Sequence, residues 1–225
     1  MMSSFRLFLS THGWRILLVA SGVLLALGGR MHPSADAEDD LRTELATMTA
    51  DERWIPGHSV IVASTVLLAA GLWWAWRTDA WPTSVRRPLF WAAVVVSVYV
   101  LETVAHLGAV ADSDALAHGH SAPVAMTHVG LSVVLYPITG WTIALLAWSF
   151  GRAWGGWRRA IAAMGILSGM LQAFSVPATL IFPDAEASPM FAGAGISLAL
   201  FSILTGLVGA PRPAVVERRE PELVG

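Results

Sequence analysis

Four side chains carry the chemistry this sequence offers most directly. Glu102 and His106 stand four residues apart in one apolar stretch, and His128 and His58 sit at the starts of two others. Residues i and i+4 share a helix face, so Glu102 and His106 address the same neighbours. A carboxylate with imidazoles from adjoining helices is a donor set for Zn²⁺, Fe²⁺ or Cu²⁺, and an open coordination position activates water. An ionisable group inside an apolar span is costly and marks function by default. Glu102 is the clear case, roughly 12 Å below the interface at 1.5 Å per residue. The blander alternative is a satisfied polar core, in which Glu102 and His106 pair with each other or with Tyr136 and Gln172.

Six of the seven histidines fall on one side of the spans set out below. They are His32, His58, His106, His118, His120 and His128, and only His12 lies opposite. His118-Gly119-His120 reads as a solvated loop. Polar residues recur at helical spacing in three spans: Tyr99, Glu102, Thr103 and His106; His128, Ser132, Tyr136 and Thr139; Ser168, Gln172, Ser175 and Thr179. Each stripe alone is ordinary helix-packing glue. Their agreement in one leaflet predicts a polar cavity among the third, fourth and fifth spans, open to the outside. In it His106, His128, His58 and Glu102 are the expected metal ligands, and Glu102 and Tyr136 the expected catalytic groups. Pro137 and Pro177 should bend two of these helices.

The elements that must position these groups are transmembrane helices. The chain has 225 residues, 55% hydrophobic and 13% charged, about half the charge of a soluble domain. At about 20 apolar residues per crossing, the spans are 14–29, 57–76, 88–110, 125–150, 160–182 and 189–209. The fold class is therefore an all-α, six-helix transmembrane bundle, one domain over residues 1–210 with a disordered tail over 211–225. Pro56, Pro88 and Pro189 fall at or near first helical turns, where proline is tolerated. Eleven arginines lie in segments 1–15, 77–87, 151–159 and 210–225, against Arg30, Arg42 and Arg53 elsewhere. By the positive-inside rule both termini are cytoplasmic. Trp73, Trp74, Trp76, Trp81, Trp148, Trp154 and Trp157 gather at the arginine-rich ends, as an interfacial belt should. All 14 basic residues are Arg, read as the bias of a high-GC bacterial genome, with the plasma (inner) membrane as the expected location.

The loop between the first two spans is acidic: Asp36, Glu38, Asp39, Asp40, Glu44, Asp51 and Glu52. Within it Leu41, Leu45 and Met48 predict a short amphipathic helix on the outer surface. An alternative for the first span is a signal peptide, with Arg6 and Arg15 ahead of the apolar run and Ala35-Asp36-Ala37 as the cleavage site.

Several chemistries are excluded. Without cysteine there is no disulfide exchange, thiolate metal site or cysteine nucleophile, and without lysine no Schiff base. Walker A, Gly-x-Ser-x-Gly and His-Glu-x-x-His motifs are absent. A net charge of −2 offers nothing to nucleic acid, so the expected partner is the lipid bilayer.

Gly28-Gly29-Arg30-Met31-His32-Pro33, followed by Trp54-Ile55-Pro56-Gly57-His58, resembles a pattern in uncharacterised bacterial multi-spanning proteins. It covers the first span through the start of the second, and implies a fold without an activity. Progestin-receptor-like and ceramidase-like membrane hydrolases offer an analogy, since they bind zinc by His and carboxylate within a helical bundle. This chain lacks their His-x-x-x-His helix and has six spans where theirs is usually seven. Three functions follow from the residues. The first is a metal-dependent enzyme on a lipid or amphiphile, using Glu102, His106 and His128 with His58 or His32 as a further ligand. The second is a b-type haem protein with two of His58, His106 and His128 axial and Arg30 or Arg53 on the propionates. The third is a non-catalytic subunit, sensor or metal-handling protein.

Overall fold

In hydrocarbon every backbone N–H and C=O must be bonded within its own segment, so apolar runs of bilayer length fold as helices. The computed structural model describes residues 2–34, 40–182 and 188–211. Among these are six helices long and apolar enough to cross a membrane. They belong to α1 (Met2–Met31), α3 (Trp54–Arg77), α4 (Thr83–Gly108), α6 (Pro123–Ala153), α7 (Arg159–Ile181) and α8 (Ser188–Val208). Two short helices, α2 (Leu41–Ala50) and α5 (Ser113–Ala117), lie between them, with a 3₁₀ turn at Ala109–Asp112 ahead of α5.

Neighbours in sequence are neighbours in space, and α8 returns to α1. The order around the bundle is α1, α3, α4, α6, α7, α8. Antiparallel packing through short connections is the expected outcome for such a chain. Glycines set several of the close approaches, among them those of α6 with α7 and of α1 with α3. A Cβ on Gly140 would come within 2.4 Å of the Gly169 carbonyl oxygen, and the reverse holds for Gly169, so α6 and α7 touch backbone to backbone. A Cβ on Gly28 would meet Ile61 Cγ1 at 2.7 Å and the Gly57 carbonyl at 3.1 Å, which brings the end of α1 onto the start of α3. Small residues at crossings are how helices gain contact where lipid removes the hydrophobic drive.

The two ends of the bundle differ. Towards the arginine-rich end, Trp14, Leu18, Leu72, Val85, Leu89, Leu146, Phe150, Trp154 and Phe201 form one buried apolar core. Trp81 lies flat on Phe150 at 3.7 Å and against Trp154 at 5.2 Å. Trp81 and Trp154 are thus core rather than belt, whereas Trp148 and Trp157 are exposed, as interfacial anchors should be. The opposite end holds the buried polar residues His58, Glu102, Asp112, His128 and Ser132.

Other expectations are adjusted. Because α4 begins at Thr83, Pro88 lies in its second turn rather than its first. The amphipathic helix in the first loop is present as α2, but it does not lie free on the surface. Leu45 and Thr49 are buried, and α2 packs on α5 and the 3₁₀ turn. The proposed cleavage site, the Pro183–Glu186 loop and the C-terminal tail lie outside the described residues. So do Asp36, Glu38 and Asp39 of the acidic loop.

Candidate metal centre

The α1–α3 crossing carries the first two imidazoles. His32 follows the last turn of α1 and His58 occupies the second turn of α3, and the Gly28–Gly57 contact lets their rings meet at 4.7 Å. Both rings are held by backbone carbonyls. His58 Nδ1 lies 2.8 Å from the Trp54 carbonyl, and His32 Nδ1 lies 2.6 Å from that of Pro33. A carbonyl only accepts, so each Nδ1 carries the proton and each Nε2 keeps its lone pair. Metal-bound histidines are oriented by this kind of contact. His58 Nε2 is buried and has no hydrogen-bond partner. Burial lowers the pKa of His32, which favours the neutral ring that a metal requires.

The other three groups come from α4 and α6. Glu102 and His106 share a face of α4, and His128 lies in the second turn of α6. His106 and His128 stack with centroids 3.9 Å apart and planes 14° from parallel. Glu102 is fully buried, with Oε1 2.9 Å from His128 Nδ1. The donor direction is off the line between them. Both carboxylate oxygens and His128 Nδ1 therefore lack an aligned hydrogen bond. Buried polar groups are otherwise nearly always bonded, so these three atoms at one place are an exception within the bundle. Tyr99 and Tyr136 meet edge to face at 5.6 Å, and both interact with Glu102 on its membrane side.

The ligand atoms fall into two groups, each within 4.8 Å: Glu102, His106 and His128; and His32, His58 and His106. With Zn–N and Zn–O bonds of about 2.0–2.2 Å, two ligands of one ion lie at most about 4.4 Å apart. Each trio is therefore within a small adjustment of binding an ion, while the five groups do not make one site. His58 was expected beside Glu102 and His128, but it joins His32, because the glycine crossing ties α3 to α1. One further movement is required. An ion lies in the plane of an imidazole, so the parallel rings of His106 and His128 must tilt before both address it.

Trp54 walls the centre. It is fully buried, 3.9 Å from His58 and 5.2 Å from His106, and its Nε1 donates to the Leu107 carbonyl at 3.1 Å. Above it Leu45 of α2 joins Ala109, Leu116, Ala122 and Ala125 in a small apolar cap. Arg42 fastens α2 by donating to the carbonyls of Leu116, Ala115 and His120. Asp112 accepts from the Val124 and Ala125 amides at 2.6 and 2.9 Å, capping the start of α6 where anions are favoured. His128 lies one turn beyond that cap.

The outward-open cavity among the third, fourth and fifth spans does not take the expected form. The α7 stripe is spent on backbone: Ser175 donates to the Gln172 carbonyl, Thr179 to that of Ser175 and Ser168 to that of Ala194. Gln172 is buried on α7, and α1 and α3, not α7, complete the centre. His118 and His120 are exposed, with His118 beside Asp114. Arg53 is engaged by Asp51 at 2.6 Å, which holds the Asp51 carboxyl down at about 2, rather than free for a propionate. Imidazoles stacked at 3.9 Å also leave no room for a porphyrin between them. Sequence reasoning missed Trp54 as the wall, α2 as the cap and Asp112 as the anchor of α6. The Trp54–His58 spacing of four was the available signal for the first. No protein-family model, curated protein or solved structure matches the chain.

Proposed function

We propose that this integral membrane protein binds a divalent transition metal through Glu102, His106 and His128 and uses it as a membrane-embedded enzyme. The observation that carries this reading is the convergence of a fully buried carboxylate and two imidazoles within 4.8 Å, with both Glu102 oxygens and His128 Nδ1 lacking an aligned partner. Two histidines and one carboxylate are the protein ligands of both catalytic zinc and non-haem iron sites, where open positions are kept for substrate. A bound ion supplies Lewis acidity there. Glu102 is placed to hold or accept a proton at Oε1 or Oε2, with Tyr99 and Tyr136 limiting water from the membrane side.

A lipid or other amphiphile fits as substrate. Leu101 and Val104, either side of Glu102 and Thr103, are exposed on the outer surface of α4, so acyl chains approach within one helix thickness of the centre. By the arginine count, the histidine-rich end faces away from the cytoplasm. The membrane is then a bacterial plasma membrane with both termini inside.

The test is metal content. Full-length protein purified in detergent and loaded with Zn²⁺, Fe²⁺ or Cu²⁺ should retain stoichiometric metal after desalting. His106→Ala and His128→Ala should each bind less metal than wild type, and His118→Ala should not. Glu102→Gln should reduce turnover of a lipid substrate more than metal content. Retention of full metal by His106→Ala and His128→Ala would remove the reading.

A further inference from the structure

Resting on that metal reading, we propose that the centre holds two ions, the second bound by His32, His58 and His106, with His106 common to both. Three observations carry it. The five ligand groups divide into two trios that share His106 alone. His58 offers a buried, unpartnered Nε2 whose tautomer is fixed by the Trp54 carbonyl, and the Pro33 carbonyl fixes His32 in the same way. His106 lies between the two sets, 3.9 Å from the His128 ring and 4.5 Å from that of His58.

An imidazole has two ring nitrogens and in its neutral form only one lone pair. To serve two cations His106 gives its remaining N–H proton to solvent and stands between them as an imidazolate. The two ions bring four positive charges, offset by one negative charge from Glu102 and one from His106. The trios also differ in character. The deeper one contains a carboxylate, whereas the second is all imidazole, a donor set suited to Cu²⁺ and Zn²⁺. His32 is half-buried at the end of α1, beside the loops. The second trio is therefore the one nearer solution and the deeper trio the one nearer the membrane.

Copper loading of the full chain tests this, with total copper by mass spectrometry and unpaired spins by electron paramagnetic resonance. Wild type should bind two Cu²⁺ per chain, with spin intensity well below the copper total because the bridged ions couple. His32→Gln, at a half-buried position, and the His32→Ala/His58→Ala pair should each bind one ion, with spins equal to copper. Circular dichroism on the same samples should show unchanged helix content. One ion in wild type, unaffected by these changes, would overturn the second site while leaving the Glu102 centre intact. Two ions with fully visible spins would overturn the sharing of His106. No copper in any variant would overturn both this proposal and the metal reading.

Discussion

Replacing His128 by alanine removes a close neighbour of Glu102, the most deeply buried carboxylate among the described residues. Glu102 has no exposed surface, and its Oε1 lies 2.9 Å from His128 Nδ1. When both are ionised they attract strongly across that gap. Desolvation offsets part of that, and loss of one partner from a buried pair typically costs about 3–5 kcal/mol. His128→Ala should therefore destabilise metal-free protein by an amount in that range. Glu102→Gln should cost less, since an imidazole, unlike a lone carboxylate at neutral pH, is readily buried as a neutral ring. Adding Glu102→Gln to His128→Ala should then recover most of the loss, because the stranded charge is gone. A double-mutant cycle on reversible unfolding in mixed micelles should give a coupling of about 2–3 kcal/mol, at the upper end for contacting residues. If the two substitutions add to within about 0.5 kcal/mol, Glu102 and His128 are not a pair and the geometry of the deeper trio is wrong.

Gly140→Ala places a Cβ 2.4 Å from the Gly169 carbonyl oxygen; α6 and α7 must separate, at about 1–3 kcal/mol for overpacking. Metal content should be unchanged, since α7 is outside the centre. Asp40 caps α2 by accepting from the Thr43 amide, which lowers its pKa. That stabilisation is present above the ordinary carboxylate pKa and is lost as pH falls through the lowered value. Hydrogen exchange at the start of α2 should accelerate only in acid, and Asp40→Ala should show the fast rate at neutral pH. Reporter fusions after Asp79 and Gly155 should read cytoplasm, and those within 112–122 should read outside; the opposite signal at Gly155 would invert the arginine argument.

The spans were legible because hydrocarbon imposes one solution on an apolar run, and Glu102 because its cost there is large. The pairing of His106 with His128 followed from a short connection between two antiparallel helices. What periodicity could not show was which helices meet at a distance along the chain. That His32 joins His58 depends on Gly28 and Gly57, whose lack of a side chain lets α1 and α3 close at that end. The Ser and Thr stripe of α7 was read as cavity lining because hydroxyl spacing is the same for that as for bonding to a carbonyl one turn back. Ser175 and Thr179 do the latter. Trp81 and Trp154 match an interfacial belt in sequence but are buried, because Trp81 packs on Phe150 and Trp154, about seventy residues away in the chain.

X-ray absorption at the metal edge of the loaded wild-type protein addresses the coordinating side chains themselves. The first shell should contain nitrogen and oxygen at about 2.0–2.2 Å, with the outer-shell scattering of at least two imidazoles, and that scattering should fall in His128→Ala. A shell of water oxygens without imidazole scattering, unchanged in His128→Ala, would contradict the metal centre.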